Sequence, residues 1–532
     1  MTMMISEPRG FRPGRLARRI VRLLCGVAAF SFVATVGIAQ GTREAVDSAA
    51  NAKIRDEGLN RSKVAPMFTM LVDTIGPRLA GSPEYKRSAD WGAEQMRAFG
   101  LSNVVIEPFE FSRGWGLDKF TIEMVEPRYM PLVGYPEAWS PSTQGEVVAT
   151  VAFIAGKTAE DVEAMQAKGS LKGAAILNQP AVANFIRADR INPTAPGEVD
   201  PPLGSAPQSG RGGRGGRGAA DPAAGPTPAQ RINAAMRASG AAVWLKPSRG
   251  EHGTLFVQAA TREVPGDTLP KVVLIGEHYN LLTRLAEQGA TVKVRVNVQA
   301  HLLDDRNSYN VIGEIPGTDP ALRDEVIMIG AHLDSWHTAT GATDNADGVV
   351  AVLEAIRILK TTGLSPKRTI RVALWGAEEE GLLGSAAYVQ KHLAGDANKA
   401  ARDRLATYFN IDPGNGPIYG WFMENNEAVP PIFDAWMEPF RDLGFRRNVR
   451  PGIGSTDHLS FIRAGMLGFN PVQDYANYDV REHHTNVDTA ERVVIDDLKQ
   501  NAIVLASVLY HAANRTQRLP APPRAPGGRP DR

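Results

Sequence analysis

The run Val326-Ile327-Met328-Ile329-Gly330-Ala331-His332-Leu333-Asp334 is followed, after a polar loop, by Asp344-Asn345-Ala346-Asp347-Gly348 and then by apolar residues at helical spacing over 349–360. A short unbroken apolar run reads as a strand buried on both faces, and the helix after it covers one of them. The alternation repeats downstream. Strand-like 370–375 precedes a helical pattern at 382–392, and strand-like 406–411 follows. Residues 428–443 read as a helix, 466–469 as a short strand and 497–513 as a last helix. Upstream, 66–75 and 88–99 have helical spacing and 104–111 reads as a strand. This pattern predicts a layered α/β domain with a mixed, largely parallel sheet.

Residues 118–302 interrupt it. Short β runs at 147–154, 174–177, 241–245, 254–257, 271–275 and 291–298 are separated by helical patterns at 159–168, 229–239 and 279–288. They describe a β-rich inserted domain, which leaves the α/β domain in two segments, 45–117 and 303–515. Within the insertion, 192–230 is of low complexity and carries Arg211-Gly212-Gly213-Arg214-Gly215-Gly216-Arg217. It reads as a disordered, solvated loop; the exported setting and short length disfavour RNA binding. Residues 516–532, rich in proline, arginine and glycine, read as a disordered tail.

Composition narrows the function. The chain of 532 residues is 43% hydrophobic and 22% charged, and 59 Lys and Arg against 58 Asp and Glu leave a net charge of +1. Nothing in that balance points to nucleic acid. One apolar run approaches bilayer length, which excludes a multi-span membrane protein, and a lone cysteine, Cys25, excludes a disulfide scaffold. Residues 1–22 carry six arginines and one acid, 23–38 are almost wholly apolar, and Gly37-Ile38-Ala39 presents small residues for cleavage. Residues 1–39 therefore read as a signal peptide, against the rival of a retained anchor. Without them, 53 basic and 57 acidic side chains remain, a net charge of −4 and no thiol. The expected product is secreted or periplasmic, with no stable membrane association after cleavage.

The chemistry sits where strands end. His332-Leu333-Asp334 follows the first strand, Asp344 opens the next helix, Glu378-Glu379-Glu380 follows the second strand and Asp412 the third. His483-His484-Thr485-Asn486-Val487-Asp488-Thr489 precedes the last helix. In open α/β sheets the carboxyl ends of the strands form the ligand crevice, so these groups can converge. Each has a plainer reading: a solvated His–Asp pair, a helix cap at Asp344, exposed glutamates, a turn at Asp412. Imidazoles with carboxylates suit zinc or a neighbouring transition metal. Three carboxylate ligands, two divalent ions and a bridging hydroxide sum to zero charge, which favours two ions. Spacing alone allows either Glu378/Glu379 or Glu379/Glu380 as base and ligand.

At these residues the chain resembles peptidase family M28, the co-catalytic dizinc exopeptidases, including secreted aminopeptidases and glutamate carboxypeptidases, and leans to the carboxypeptidase Q branch. The resemblance is carried by Gly76-Pro77-Arg78-Leu79-Ala80-Gly81-Ser82, Gly330-Ala331-His332-Leu333-Asp334-Ser335, Gly341-Ala342-Thr343-Asp344-Asn345, Ala377-Glu378-Glu379-Glu380-Gly381-Leu382 and His484-Thr485. It implies two Zn2+ ions, with Asp344 between them, His332 and Asp412 completing one site and Glu379 and His484 the other. Glu378 would be the general base, acting on a metal-bridged water, with Glu380 a spacer. The insertion would be a protease-associated-like module. Many relatives have a tyrosine before the last ligand histidine; here it is His483, which becomes the candidate oxyanion donor. Asp334, two residues after His332, can orient it, and the loop Gly454-Ser455-Thr456-Asp457-His458 either lines the pocket or is a structural turn. The implied activity is hydrolysis of dipeptides or short peptides, as an aminopeptidase, carboxypeptidase or dipeptidase, with a homodimer as a possible assembly. The alternatives are a non-catalytic binding protein on the same fold, which predicts broken ligand positions, and a dimetal phosphoesterase, which the motifs do not favour.

Overall fold

A computed structural model of the chain describes residues 44–202, 225–259 and 269–522. The expected signal peptide and the Arg/Gly tract lie outside them. Six strands build the main sheet: Ser102–Glu110 (β1), Asn307–Ile315 (β2), Val326–His332 (β3), Thr369–Trp375 (β4), Leu405–Asn410 (β5) and Gly468–Phe469 (β6). They lie side by side in the order β1-β2-β4-β3-β5-β6. The pairs β4–β3, β3–β5 and β5–β6 are parallel, and β2 is antiparallel to both of its neighbours. The sheet is therefore mixed and largely parallel.

Every residue of β3 is buried, because both sheet faces are covered. Ile327, Ile329, Ile370, Val372, Leu374 and Phe409 face the helices Ser48–Asn60, Pro83–Ala98, Asp347–Thr361 and Ile495–Asn514. Met328, Ala373, Trp375 and Tyr408 face the other way, towards Leu383–His392 and His458–Arg463. Alternate residues of a strand point to opposite faces, so one apolar run feeds two cores. Each such side chain contributes roughly 1.5–3 kcal/mol on burial. Where Ser48–Asn60 crosses Ile495–Asn514, Gly58 permits the contact: a Cβ there would lie 2.3 Å from Ile503 Cγ1.

A second, eight-stranded sheet is nested between β1 and β2, opening at Trp115–Glu126 and closing at Lys293–Leu302. Its core gathers Val243, Leu245, Val272, Leu274, Val294, Val296 and Tyr279. Residues 254–257 are an exception to the strand reading. They join no ladder, and Phe256 makes one isolated bridge, to Thr485 of the main domain.

Three other expectations change. The helix read at 428–443 is an α-helix, Pro430–Met437, followed by a 3-10 helix, Glu438–Leu443. Pro439 has no N–H to offer an α-helical bond, so the chain tightens there. The loop expected at 192–230 is anchored at its described ends: Arg447 pairs with Asp200 at 2.8 Å, and a capped helix starts at Pro228. The tail expected from 516 is ordered to 522, where Leu519 is buried and Asn426 donates to the Pro520 carbonyl at 2.7 Å.

A buried ion cluster ties the first helix to the sheet-covering helix. Arg357 bonds Glu57 at 2.7 Å and Glu354 at 2.7 and 2.9 Å. Burial would raise the Glu57 carboxyl, but hydrogen bonds from Arg357 and Arg61 outweigh it and hold it below its ordinary value. Arg357→Ala strips buried Glu354 of its cation and leaves Glu57 to Arg61 alone, and should cost about 3–5 kcal/mol, read as a lower urea midpoint. Asp442→Ala, which breaks a largely exposed pair with Arg55, should cost less than about 1 kcal/mol. Because Glu57 is depressed in the folded state, its contribution is present above the ordinary glutamate range and is lost as pH falls below it. The Arg357→Ala deficit should therefore shrink in acid.

Candidate active site

The carboxyl ends of β3, β4 and β5 open on one crevice. His332 is the last residue of β3, Glu378 and Glu379 follow β4 by one turn, and Asp412 follows β5. Asp344 enters from the loop ahead of Asp347–Thr361, and His484 from the loop after the π-type turn Tyr478–Glu482. The six residues are distant in sequence and meet because parallel strands end on the same edge.

Asp344 is central. Its Oδ1 lies 3.2 Å from His332 Nε2 and its Oδ2 3.4 Å from His484 Nε2. His332 Nε2 is also 3.8 Å from Asp412, and His484 Nε2 is 2.8 Å from Glu379. One oxygen of the carboxylate thus faces each half of the expected ligand set. His332, Asp344 and Asp412 form one group of potential ligands, within 4.8 Å of one another. Asp344, His484 and a ring nitrogen of His483 form a second.

These residues fit divalent cations on their own account. His332 Nε2, Asp344 Oδ2 and Glu379 Oε1 are buried with no hydrogen-bond partner among the described residues. An orphaned buried polar atom costs about 1–3 kcal/mol, so three around one gap call for a common partner. The cluster is also short of positive charge. Burial raises the Glu378 and Glu379 carboxyls, and neighbouring carboxylates (Asp412 and Asp457 for one, Asp344 for the other) push them further, against the pull of His332. Burial disfavours a charged His332, yet Glu378 and Asp412 hold it well above its ordinary value. His484 is pushed down to about 4 by burial, which keeps it neutral as a ligand must be.

The supporting shell departs from expectation at Asp334. Its oxygens accept the backbone N–H groups of Glu378 at 3.2 Å and Glu379 at 3.1 Å. Orientation of His332 comes instead from the Asp334 backbone carbonyl, which accepts from Nδ1 at 3.0 Å, while the nearer carboxylate oxygen stands at 3.7 Å. Asp334 chiefly holds the turn that presents Glu378 and Glu379. His483 is stacked on Tyr478, with ring centroids 5.2 Å apart, and its ring lies tilted against that of His484, 3.7 Å away. Burial and the adjacent His484 keep it neutral, with one N–H available. The 454–458 loop packs beneath β5, where Asn410 donates to Thr456 at 2.8 Å.

Four further residues carry no role in the sequence reading. Arg78 is fully buried and donates to the backbone carbonyls of Leu333, Thr340 and Gly341 at 2.7–2.8 Å, joining the two loops that flank His332 and Asp344. Burial lowers it to about 10, so it stays a cation beside Asp488, Asp334, Asp344 and Glu379. Asp488 accepts from Thr343 N at 2.7 Å and from Asp344 N at 3.3 Å. Tyr478 keeps a buried hydroxyl without a hydrogen-bond partner among the described residues. Gln258, from the inserted domain, lies 2.9 Å from His484 Nδ1. Arg78 and Asp488 stand inside quoted motifs; Gln258 has no local sequence signal.

Comparison with known proteins agrees with this geometry. Residues 310–509 match the sequence model of peptidase family M28. The chain is 26% identical to carboxypeptidase Q of Bos taurus over 477 residues, 89% of each chain. It superposes on a peptidase M28 precursor from Shewanella amazonensis with a TM-score of 0.66 at 24% identity, covering 90% of this chain and 99% of the other. BSAP, a zinc aminopeptidase from Bacillus subtilis, gives 0.56 at 19% identity, over 85% and 94%. The matched span contains β3, β4 and β5 and every residue grouped around Asp344, so the chain carries a peptidase family M28 domain and is a metallopeptidase.

Proposed function

We propose that the protein is an exported dizinc exopeptidase that hydrolyses dipeptides or short peptides with Glu378 as general base. The observation that carries this reading is Asp344, whose two oxygens face two different histidines at 3.2 and 3.4 Å. His332 and Asp412 would hold one ion and Glu379 and His484 the other, with Asp344 shared. Bound there, divalent ions polarise a carbonyl and acidify a water.

The protein's own groups supply the rest. Glu378 takes the proton of the attacking water, whose oxygen adds to the scissile carbonyl carbon. As the C–N bond breaks, Glu378 passes that proton to the leaving amine. Asp334 fixes the turn on which Glu378 stands, through two backbone N–H groups. Neutral His483, beside His484, offers an N–H to the oxyanion. The similarity to carboxypeptidase Q over most of the chain supports a peptide substrate cut at a terminus, and the inserted domain is read as a protease-associated-like module. The basic, apolar and small-residue pattern of 1–39 supports export.

The direct test is hydrolysis of free, N-blocked and C-blocked dipeptides and of an aryl phosphate by zinc-loaded protein. Cleavage of free dipeptides is expected, the blocked set reports which terminus is read, and turnover of the phosphate alone would overturn the peptidase reading. Glu378→Gln should bind two ions yet lose nearly all hydrolysis, because an amide cannot take the proton. Glu379→Gln should weaken one ion and Glu380→Gln should do little; loss of an ion in Glu380→Gln would shift the register by one. His483→Ala should lower kcat by ~10²–10³ while both ions stay bound.

A further inference from the structure

One segment of the inserted domain touches His484 directly. Leu255 and Val257 bond across to the histidine loop: Asn486 N donates to the Leu255 carbonyl and Val257 N to the His484 carbonyl, each at 3.2 Å. Leu255 N donates to Asn486 Oδ1 at 2.8 Å, and Phe256 bridges Thr485. The contact clamps a strained residue. His484 has φ +63°, a left-handed conformation that costs a non-glycine residue of order 1–3 kcal/mol and persists only where its surroundings impose it.

Gln258 ends this segment. It is exposed, and among the described residues its side chain makes one hydrogen bond, between the amide Nε2 and His484 Nδ1 at 2.9 Å. A carboxamide presents a donor on one side and an acceptor on the other. With Nε2 towards the ring, as here, Gln258 donates to Nδ1, and the imidazole proton sits on Nε2, facing Glu379 at 2.8 Å and Asp344 at 3.4 Å. With the amide turned over, Oε1 accepts the Nδ1 proton, and the Nε2 lone pair is freed towards the same two carboxylates. A single rotation thus serves both tautomers of the histidine.

We propose that Gln258 is a positioning residue through which the inserted domain holds the ring of His484, its amide turning to accept the Nδ1 proton when a cation takes Nε2. The inference rests on the reading of His484 as a metal ligand. It gives the insertion a part in assembling the site, and Gln258 need not touch substrate to play it.

The test is zinc affinity, measured by chelator competition on the full chain, with the unfolding temperature of the zinc-free protein alongside. Wild-type protein should load two ions. Gln258→Ala and Gln258→Met, at an exposed position, should weaken one ion about 10–100-fold, the usual consequence of removing a ligand's hydrogen-bond partner, without moving the unfolding temperature. Gln258→Glu can only accept from Nδ1, and should bind zinc at least as tightly as wild type. Wild-type affinity in the alanine and methionine variants would overturn the proposal. So would a glutamate variant as weak as alanine, or a loss of both ions with a lowered unfolding temperature. Wild-type protein that binds no zinc would overturn the metal reading itself, and the proposal with it.

Discussion

The structure turns on one buried carboxylate with a histidine on either side. Asp344 directs its oxygens at His332 and His484, and Asp412, Glu378 and Glu379 crowd the same crevice. So much acid in so little water is unstable without positive charge, because burial and mutual repulsion both act on the ionised forms. The fully buried Arg78 supplies one unit of it and spends its hydrogen bonds on backbone carbonyls rather than on any carboxylate. The remainder is what divalent cations provide. The same crowding that is a liability for folding is thus what suits the crevice to cations.

The fold sets this arrangement in a rigid frame. Parallel strands bring their carboxyl ends to one edge, and β3, buried on both faces, cannot shift without disturbing two cores. Glu378, Glu379 and Asp412 follow their strand ends within a few residues, so their reach is short and their direction is fixed. Hydrogen bonds then pin the loops where side chains must converge: Asp334 under the Glu378–Glu379 turn, Asp488 under Thr343 and Asp344, Arg78 between the two loops beside them. Interactions of this kind, made by residues that touch no substrate, decide whether ligands lie within reach of one another.

The inserted domain belongs to this frame as much as the main sheet does. Its Arg190 is nearly buried and pairs with Asp479 through both guanidinium and backbone, at 2.6–2.9 Å, while lying over the rings of Tyr475 and Tyr478. Tyr478 in turn stacks on His483. With the 255–258 segment on its other side, the histidine loop is held between two stretches of the insertion. The likeness to carboxypeptidase Q spans 89% of both chains, so it takes in the insertion as well as the peptidase segments.

The sequence by itself determined most strands of the sheet and the five residues that gather around Asp344. Long apolar runs have no stable alternative to burial, and a motif of fixed spacing carries its ligands wherever its strand goes. Thus 326–334, 370–380 and 406–412 announced both the strands and what they deliver. β2, with its Asn, Ser and Gly, gave no such signal, because its burial comes from neighbours on both sides rather than from its own hydrophobicity. Only the tertiary structure decided the roles that depend on a partner far along the chain. Asp334 sits two residues from His332, yet its carboxylate serves the backbone of Glu378 and Glu379. Residues 254–257 have strand composition, but they pair with the histidine loop at a single bridge and join no sheet. Gln258 is an ordinary exposed glutamine until the fold places it against His484, 226 residues away. Local sequence encodes periodicity and burial; hydrogen bonds across such distances depend on directions that only the packed elements fix.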